Sequence, residues 1–90
     1  MNIIPVDTIS PYRMGTLRNL DKSDIVRILG FAPNVKDVPD KVINNWGFTL
    51  DGDRCDVWDY NGSYHHNEWS TFGNHQKMND LFGAHYTPLY

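Results

Sequence analysis

The sequence predicts an α+β domain in which two short helices flank a three-stranded antiparallel sheet, in the order α-β-β-β-α, after an extended N-terminal arm. Three observations predict this fold. A capped segment with helical periodicity begins at Asp21, a run with period two lies on both sides of Asp51-Gly52, and a second capped helical segment follows Asn74. Because 90 residues suffice for one core only, residues 1–90 are expected to form a single domain.

Residues 1–15 are expected to form the extended arm, since Pro5 and Pro11 fix their own φ angles and keep the preceding residues out of helix. The apolar residues of this segment suit either a short edge strand or an arm that packs on a partner subunit, which would make the protein a homo-oligomer. These residues are Ile3, Ile4, Val6 and Ile9. Residues 16–19 are predicted to add a helical turn before the first helix.

The first helix has start and stop signals at both ends. Asp21 is placed as the N-cap and Asp24 as the N3 residue of a capping box, while Leu20 and Ile25 suit a hydrophobic staple. Gly30 can adopt the left-handed conformation that ends a helix. The segment between these signals is therefore predicted to be a helix of about two turns.

A β-hairpin is predicted on both sides of Asp51-Gly52, a dipeptide that favours two-residue turns. The turn can be Asp51-Gly52 or Gly52-Asp53. These two registers differ by two residues and so place the same side chains on each face. The inner face is predicted to hold Trp46, Phe48, Leu50, Cys55 and Val57, and the outer face Asn45, Gly47, Thr49, Asp56, Trp58 and Tyr60.

The last third of the chain predicts a strand and a helix. A turn at residues 61–63 precedes a third strand at Glu68–Phe72, and Asn74 is the N-cap of a short helix that ends at Gly83. Residues 84–90 are expected to form a tail. The apolar side of this helix is predicted to consist of Met78, Leu81 and Phe82.

Composition excludes several classes of protein. The net charge of −3 and the lack of a basic run disfavour non-specific nucleic-acid binding, and no apolar run reaches the roughly 20 residues of a membrane span. The N-terminus has no signal-peptide pattern, and Cys55 is the single cysteine, so no intramolecular disulfide can form. We therefore expect a cytoplasmic protein without a membrane partner.

No catalytic or metal-binding motif is present. His65 and His66 are adjacent, and neighbouring side chains of an extended chain point in opposite directions, so the pair is a poor metal site. The sequence also lacks phosphate-binding glycine loops, nucleophile elbows and zinc-hydrolase signatures. We accordingly predict no catalytic residue, no metal ligand and no cofactor.

Aromatic residues make up 13% of the chain, and six aromatic or histidine side chains flank one predicted turn. Flat rings with N–H and O–H donors suit stacking on a nucleobase, and they equally suit a protein-binding hot spot. Arg54 shares the parity of Trp58 and is predicted to contact an anion. Burial of the outer face beneath a helix is the competing interpretation. The predicted binding residues are Trp58, Tyr60, Tyr64, His65, His66, Trp69 and Arg54.

Four segments resemble a group of small accessory proteins of tailed bacteriophages. They are WGFTLDG at 46–52, CDVWDYNGS at 55–63, WSTFG at 69–73 and LFG at 81–83. The group is similar in its aromatic strand, its DG turn, a C-x-[IV]-W-D-Y-x-G-S strand and a W-S-x-[FY]-G strand. The resemblance covers about residues 25–83, and this chain departs from the pattern by inserting residues 64–67 before Trp69.

The resemblance implies a phage protein that acts in the host cytoplasm, and small phage proteins of this kind often act by stoichiometric binding. We expect a non-catalytic anti-defence protein that sequesters a nucleotide-derived immune signal. The alternatives are an inhibitor of a host defence enzyme, which could present the acidic hairpin as a nucleic-acid mimic, and a small phosphoester hydrolase with His65 or His66 as general base. A transcriptional regulator that uses the first helix is a weaker expectation.

Overall fold

The computed structural model describes residues 1–36, 42–60 and 62–89, and these residues form six strands and two helices. All neighbouring strands are antiparallel, and their order across the sheet is β1-β3-β4-β5-β2-β6. The elements are β1 (Ile3–Pro5), β2 (Gly15–Arg18), α1 (Lys22–Leu29), β3 (Val42–Leu50), β4 (Asp53–Tyr60), β5 (Glu68–Phe72), α2 (His75–Phe82) and β6 (Tyr86–Pro88).

The predicted three-stranded sheet is therefore wrong, because the sheet has six strands. The three additional strands are short and lie in segments that the sequence assigned to other states. β1 and the start of β2 belong to the predicted arm, the rest of β2 replaces the predicted turn at 16–19, and β6 lies in the predicted tail. Strands of three or four residues carry too little alternation to be recognised, and long-range pairing forms them.

Both predicted helices are confirmed, with their caps. Asp21 accepts a hydrogen bond from the backbone N–H of Asp24, and the Asp24 carboxylate accepts one from the N–H of Asp21, which completes the capping box. Gly30 ends α1 with a φ of 91°. Asn74 caps α2 through the N–H of Lys77 at 3.1 Å. Local polar chemistry thus determines where each helix begins.

The central hairpin has the register in which Asp51-Gly52 is the turn. Phe48 lies opposite Cys55 and Trp46 lies opposite Val57. Asp51 and Gly52 have φ angles of 51° and 87°, which is the positive-φ geometry that an Asp-Gly hairpin turn requires. The prediction of the inner face is confirmed, since all five of its residues are buried.

A bulge interrupts β3 next to the end of β4. Between Val42 and Asn45 the strand contains one more residue than its partner, and the buried Asp59 carboxylate fills the gap in the ladder. Asp59 accepts hydrogen bonds from the backbone N–H groups of Ile43 and Asn44, at 3.0 and 2.6 Å. The turn predicted to follow β4 begins at Asn61, which lies outside the described residues, as does Tyr90 of the predicted tail.

Both helices cover the same face of the sheet. Trp46 and Trp69 pack edge to face at its centre, with ring centroids 5.3 Å apart, and each donates its indole N–H to a backbone carbonyl. These hydrogen bonds satisfy two donors that burial would otherwise leave unpaired. The core consists of Leu17, Leu20, Ile25, Leu29, Trp46, Phe48, Leu50, Cys55, Val57, Trp69, Met78, Phe82 and Tyr86.

Candidate functional site

The other face of the sheet is crossed by the connection between β1 and β2, residues 6–14, which we call the strap. β1 lies at one end of the sheet and β2 between β5 and β6, so this connection must run across the strands that separate them. The strap begins with a hydrogen bond from Val6 N–H to the Gly47 carbonyl and ends with one from Met14 N–H to the Thr71 carbonyl. The strap therefore covers part of the outer face of the β3–β4 hairpin, which the sequence predicted to be either free or covered by a helix.

Polar and aromatic contacts hold the strap along its length. The Thr8 hydroxyl donates to the Asp56 carboxylate at 3.2 Å, and Arg54 donates to the Ile9 carbonyl. Further along, Tyr12 packs edge to face on Phe72 with ring centroids 5.4 Å apart. These contacts fix the strap over β4 and β5 rather than leaving it as a loose arm.

Gly47 allows the strap to approach β3 closely. A Cβ atom at this position would lie 2.5 Å from the Val6 carbonyl oxygen and 2.9 Å from that of Thr8, which is closer than any side chain tolerates. Asn34 reinforces the approach, because its amide group bonds both backbone groups of Gly47 and the Val6 carbonyl. The gap that the glycine creates is thus filled by the protein's own backbone.

Beside the strap, two adjoining hollows share the side chains of Trp58 and Tyr60. The first has a volume of about 180 Å³, and the second, which Arg13 and Ser70 also line, about 300 Å³. We call the two hollows together the groove. The residues around the first hollow are Ile9, Ser10, Pro11, Tyr12, Val42, Asn45, Trp58 and Tyr60. The strap thus forms one side of the groove and the ends of β3 and β4 form the other.

A buried amide lies at the base of the first hollow. Asn45 is only 3% exposed, and its Nδ2 atom has no hydrogen-bond partner among the described residues. The neighbouring carboxylate of Asp56 is fully buried, and its Oδ2 atom also lacks a partner there. Each polar atom that is buried without a hydrogen bond lowers the free energy of unfolding by about 1–3 kcal/mol. The polar groups on this side of the sheet are therefore incompletely satisfied.

Burial raises the pKa of Asp56 from 3.8 to about 6, because the charged form loses its hydration. Three groups oppose this shift by stabilising the carboxylate: the Thr8 hydroxyl, the Arg54 guanidinium and the Ser10 backbone N–H. The Asn45 amide also lies close enough to lower the pKa slightly, although the pair does not have full hydrogen-bond geometry. A carboxyl group that titrates near neutral pH thus lies directly beneath the strap.

Of the seven predicted binding residues, Trp58 and Tyr60 line the groove, and Trp69 lies on the opposite face of the sheet. Trp58 is half-buried and Tyr60 is 50% exposed, so both rings present surface to solvent. Trp69 is 1% exposed and lies on the helix-covered face, because it pairs with Leu17 in β2 and packs on Trp46. The prediction that Trp69 shares a surface with Trp58 is therefore wrong.

The three predicted residues between β4 and β5 form a separate feature. Tyr64, His65 and His66 belong to a single 3₁₀ turn at Ser63–His66, and Tyr64 packs partly against the core. The Tyr64 and His65 rings stack with centroids 4.0 Å apart, while His65 and His66 remain exposed. None of these three residues lines the groove. The inserted segment therefore does not bring its rings to Trp58.

Arg54 has a different role from the predicted one. Its guanidinium donates to the strap at Ile9 and lies 5.7 Å from the centre of the Phe72 ring. The first contact ties the side chain to the strap, and the second holds it against β5. We therefore assign Arg54 to fixing the strap, whereas the predicted anion contact would require it to face a ligand.

The buried thiol of Cys55 is not activated as a nucleophile. Burial raises the pKa of the Cys55 thiol to about 12, so the thiolate needed for nucleophilic attack does not form at neutral pH. Across residues 1–36, 42–60 and 62–89, no three His, Cys, Asp or Glu side chains are grouped so that they could hold a metal ion. Neither helix in the described part of the chain is long and apolar enough to cross a bilayer.

Asn45, Arg13 and the strap side of the groove were not predicted from the sequence. The alternation of β3 already placed Asn45 on the outer face, in the same row as Trp58, so parity could have identified it. The strap residues carry no comparable local signal, because their position follows from the pairing of β1 and β2 with distant strands.

Comparison with protein-family models, with curated proteins and with solved structures finds no match to this chain. The geometry of the groove is therefore the basis for its functional interpretation.

Proposed function

We propose that this protein is a non-catalytic binding protein whose groove holds a nucleotide-type ligand against Trp58 and Tyr60. The observation that carries this proposal is the pair of partly exposed rings beside two hollows, with a buried amide donor in one and an arginine in the other. Aromatic faces stack on any base, and polar groups at the edge of the stack orient it.

The experiment that tests the proposal measures nucleotide binding by ligand-observed NMR or calorimetry for the wild type and for Trp58→Ala. Stacking on an aromatic side chain contributes about 1–3 kcal/mol per base, so the variant is expected to bind roughly ten- to a hundredfold more weakly. His66→Ala is the matched control, because His66 is exposed and lies outside the groove.

Equal binding by the wild type and Trp58→Ala would contradict the proposal. Turnover of the nucleotide that disappears in His65→Ala or His66→Ala would instead support the hydrolase alternative. The wild type also offers a direct optical signal, because Trp58 is partly exposed whereas Trp46 and Trp69 are buried. Protection of Trp58 from acrylamide quenching should therefore accompany binding.

A protein partner is the second candidate, and the exposed apolar rim of the groove favours it. Ile9, Tyr12 and Tyr60 are 42–54% exposed, and Trp and Tyr dominate protein-binding hot spots. The acidic-hairpin mode has less support, because Asp56 and Asp59 are buried and Asp53 pairs with Lys77 at 2.9 Å. A stoichiometric complex with a host protein that Trp58→Ala fails to form would support this candidate.

The biological setting is also a proposal, and the sequence resemblance alone supports it. We propose that the protein is encoded by a tailed phage, acts in the host cytoplasm and counters a host defence by binding its nucleotide-derived signal. Expression of the chain in a host with a nucleotide-signalled defence should restore phage growth, and Trp58→Ala should not.

A further inference from the structure

We propose that the groove binds a nucleoside monophosphate in two parts, with the base in the hollow that Asn45 lines and the phosphate in the hollow that Arg13 lines. This inference rests on the proposed function and adds to it a division of the ligand between two subsites. Such a ligand has one planar ring, which carries a hydrogen-bond acceptor, and one anionic group.

The first hollow has the size and chemistry of a site for a single ring. Its volume of about 180 Å³ is close to the roughly 150 Å³ cavity that accommodates benzene, so a base fits and a whole nucleotide does not. Asn45 lines this hollow, and its Nδ2 atom is buried near Asp56 without a full hydrogen bond. Rotation of the amide group would bring Nδ2 to an acceptor that enters the hollow. A carbonyl oxygen or ring nitrogen of a base would satisfy it while the ring contacts Trp58.

The second hollow has the chemistry of an anion site. Arg13 is exposed and makes no hydrogen bond or ion pair with the described residues, whereas Arg18, Arg27 and Arg54 all contact acceptors. A guanidinium matches phosphate geometry with two parallel N–H donors. Because Trp58 and Tyr60 line both hollows, a ligand that crosses these two rings can occupy both at once.

The test compares AMP and UMP with adenosine, uridine and inorganic phosphate, each titrated calorimetrically into the 90-residue protein. A charge-assisted hydrogen bond contributes about 1.5–3 kcal/mol, so the monophosphates are expected to bind at least about tenfold more tightly than the nucleosides. Arg13→Gln should lower the affinity for the monophosphates to that of the nucleosides. Arg27→Gln is the matched control, since it removes the same charge from α1 on the other side of the sheet.

Asn45→Leu tests the base subsite, because leucine has the same number and branching of side-chain heavy atoms and cannot donate a hydrogen bond. The substitution should weaken the binding of nucleosides and of monophosphates several-fold, and by the same factor for both. The fluorescence of the buried Trp46 and Trp69 reports whether the fold is retained. Arg13→Gln needs no such control of the fold, because Arg13 is exposed.

Each outcome has a distinct meaning. Nucleosides that bind the wild type as tightly as monophosphates would overturn the two-part inference and leave the proposed ring binding intact. Inorganic phosphate that binds as tightly as AMP would show that the base makes no contact, which overturns the inference as well. Failure of all five probes to bind would overturn both the inference and the proposed function.

Discussion

The carboxyl group of Asp56 lies beneath the strap with only part of its hydrogen-bonding capacity used. Thr8 donates to one oxygen, while the other has no partner among the described residues. Full burial removes hydration from the charged form, and the Arg54 guanidinium compensates only in part. The strap therefore buries an ionisable carboxyl group whose charged form is destabilised. This destabilisation should make the free energy of unfolding depend on pH.

We predict that Asp56 makes the protein less stable as the pH rises from about 4 to about 6. Its pKa is raised from 3.8 to about 6 in the folded state, so folding binds a proton in this window and the stabilising effect of the neutral form is lost above it. The difference amounts to about 3 kcal/mol in the free energy of unfolding. Urea denaturation of the wild type and of Asp56→Asn, at pH 4 to 7, measures it.

Asp56→Asn should be more stable than the wild type at pH 7 and should lose the advantage near pH 4. The comparison between the two proteins is needed because hydrogen bonds from Asp24 and Ser23 lower the pKa of Asp21, which gives a slope of opposite sign at lower pH. A stability difference that is constant between pH 4 and 7 would show that Asp56 does not titrate in this range.

At single positions, the face that a side chain occupies was predictable where strand parity could be extended from a known turn. The Asp51-Gly52 turn determines which face Trp58 and Tyr60 occupy, and the structure places both on the outer face as expected. Trp69 lies beyond the 3₁₀ turn, so its face depends on how the inserted segment folds. Its predicted position was wrong because parity cannot be counted through an irregular turn.

The strap is the element that converts a sheet face into a groove, and its path depends on Gly47. We predict that Gly47→Ala destabilises the protein by about 1–3 kcal/mol, because the new methyl group overlaps the carbonyl oxygens of Val6 and Thr8. The strap should also be displaced. Faster hydrogen exchange at the Val6 amide, which bonds the Gly47 carbonyl, would report that displacement.

Gly30→Ala is the control for this prediction. Gly30 also has a conformation that strains a side chain, with a φ of 91°, but nothing lies within 4 Å of its Cβ position. Gly30→Ala should therefore lower the stability of the protein without changing hydrogen exchange at the Val6 amide. If both variants leave the strap amides equally protected, contact at Gly47 is not what positions the strap.

Elements were predictable where the signals that form them are local. The caps of α1 and α2 lie within four residues of the groups they bond, and the β3–β4 hairpin closes through a two-residue turn. β1, β2 and β6 have three or four residues each, and their residues pair with partners between 43 and 73 residues away along the chain. No local pattern specifies such pairing, so the predicted arm and tail are in fact the two ends of the sheet.

The first 18 residues contribute strands near both ends of the sheet and connect them across one of its faces. β1 adds to β3 at one end, and β2 lies between β5 and β6 near the other, with the strap connecting them across the face. The core on the opposite face joins side chains from β2, both helices and the hairpin. Loss of the N-terminal segment from the sheet would therefore expose Asp56 and remove one side of the groove.

We predict that Leu17→Ala reduces the free energy of unfolding by about 2–5 kcal/mol, as expected for a fully buried leucine. Leu17 lies opposite both Trp69 and Tyr86, so the cavity would loosen three strands at once. Ile4→Ala is the control, since Ile4 lies on the edge strand β1 and is 49% exposed, and it should cost under about 1 kcal/mol. If the sheet is one unit, tryptophan fluorescence and far-ultraviolet circular dichroism should report the same lowered midpoint for Leu17→Ala. Separate midpoints would mean that β2 and β6 unfold independently of the β3–β4 hairpin, and the groove would then be lost before the core.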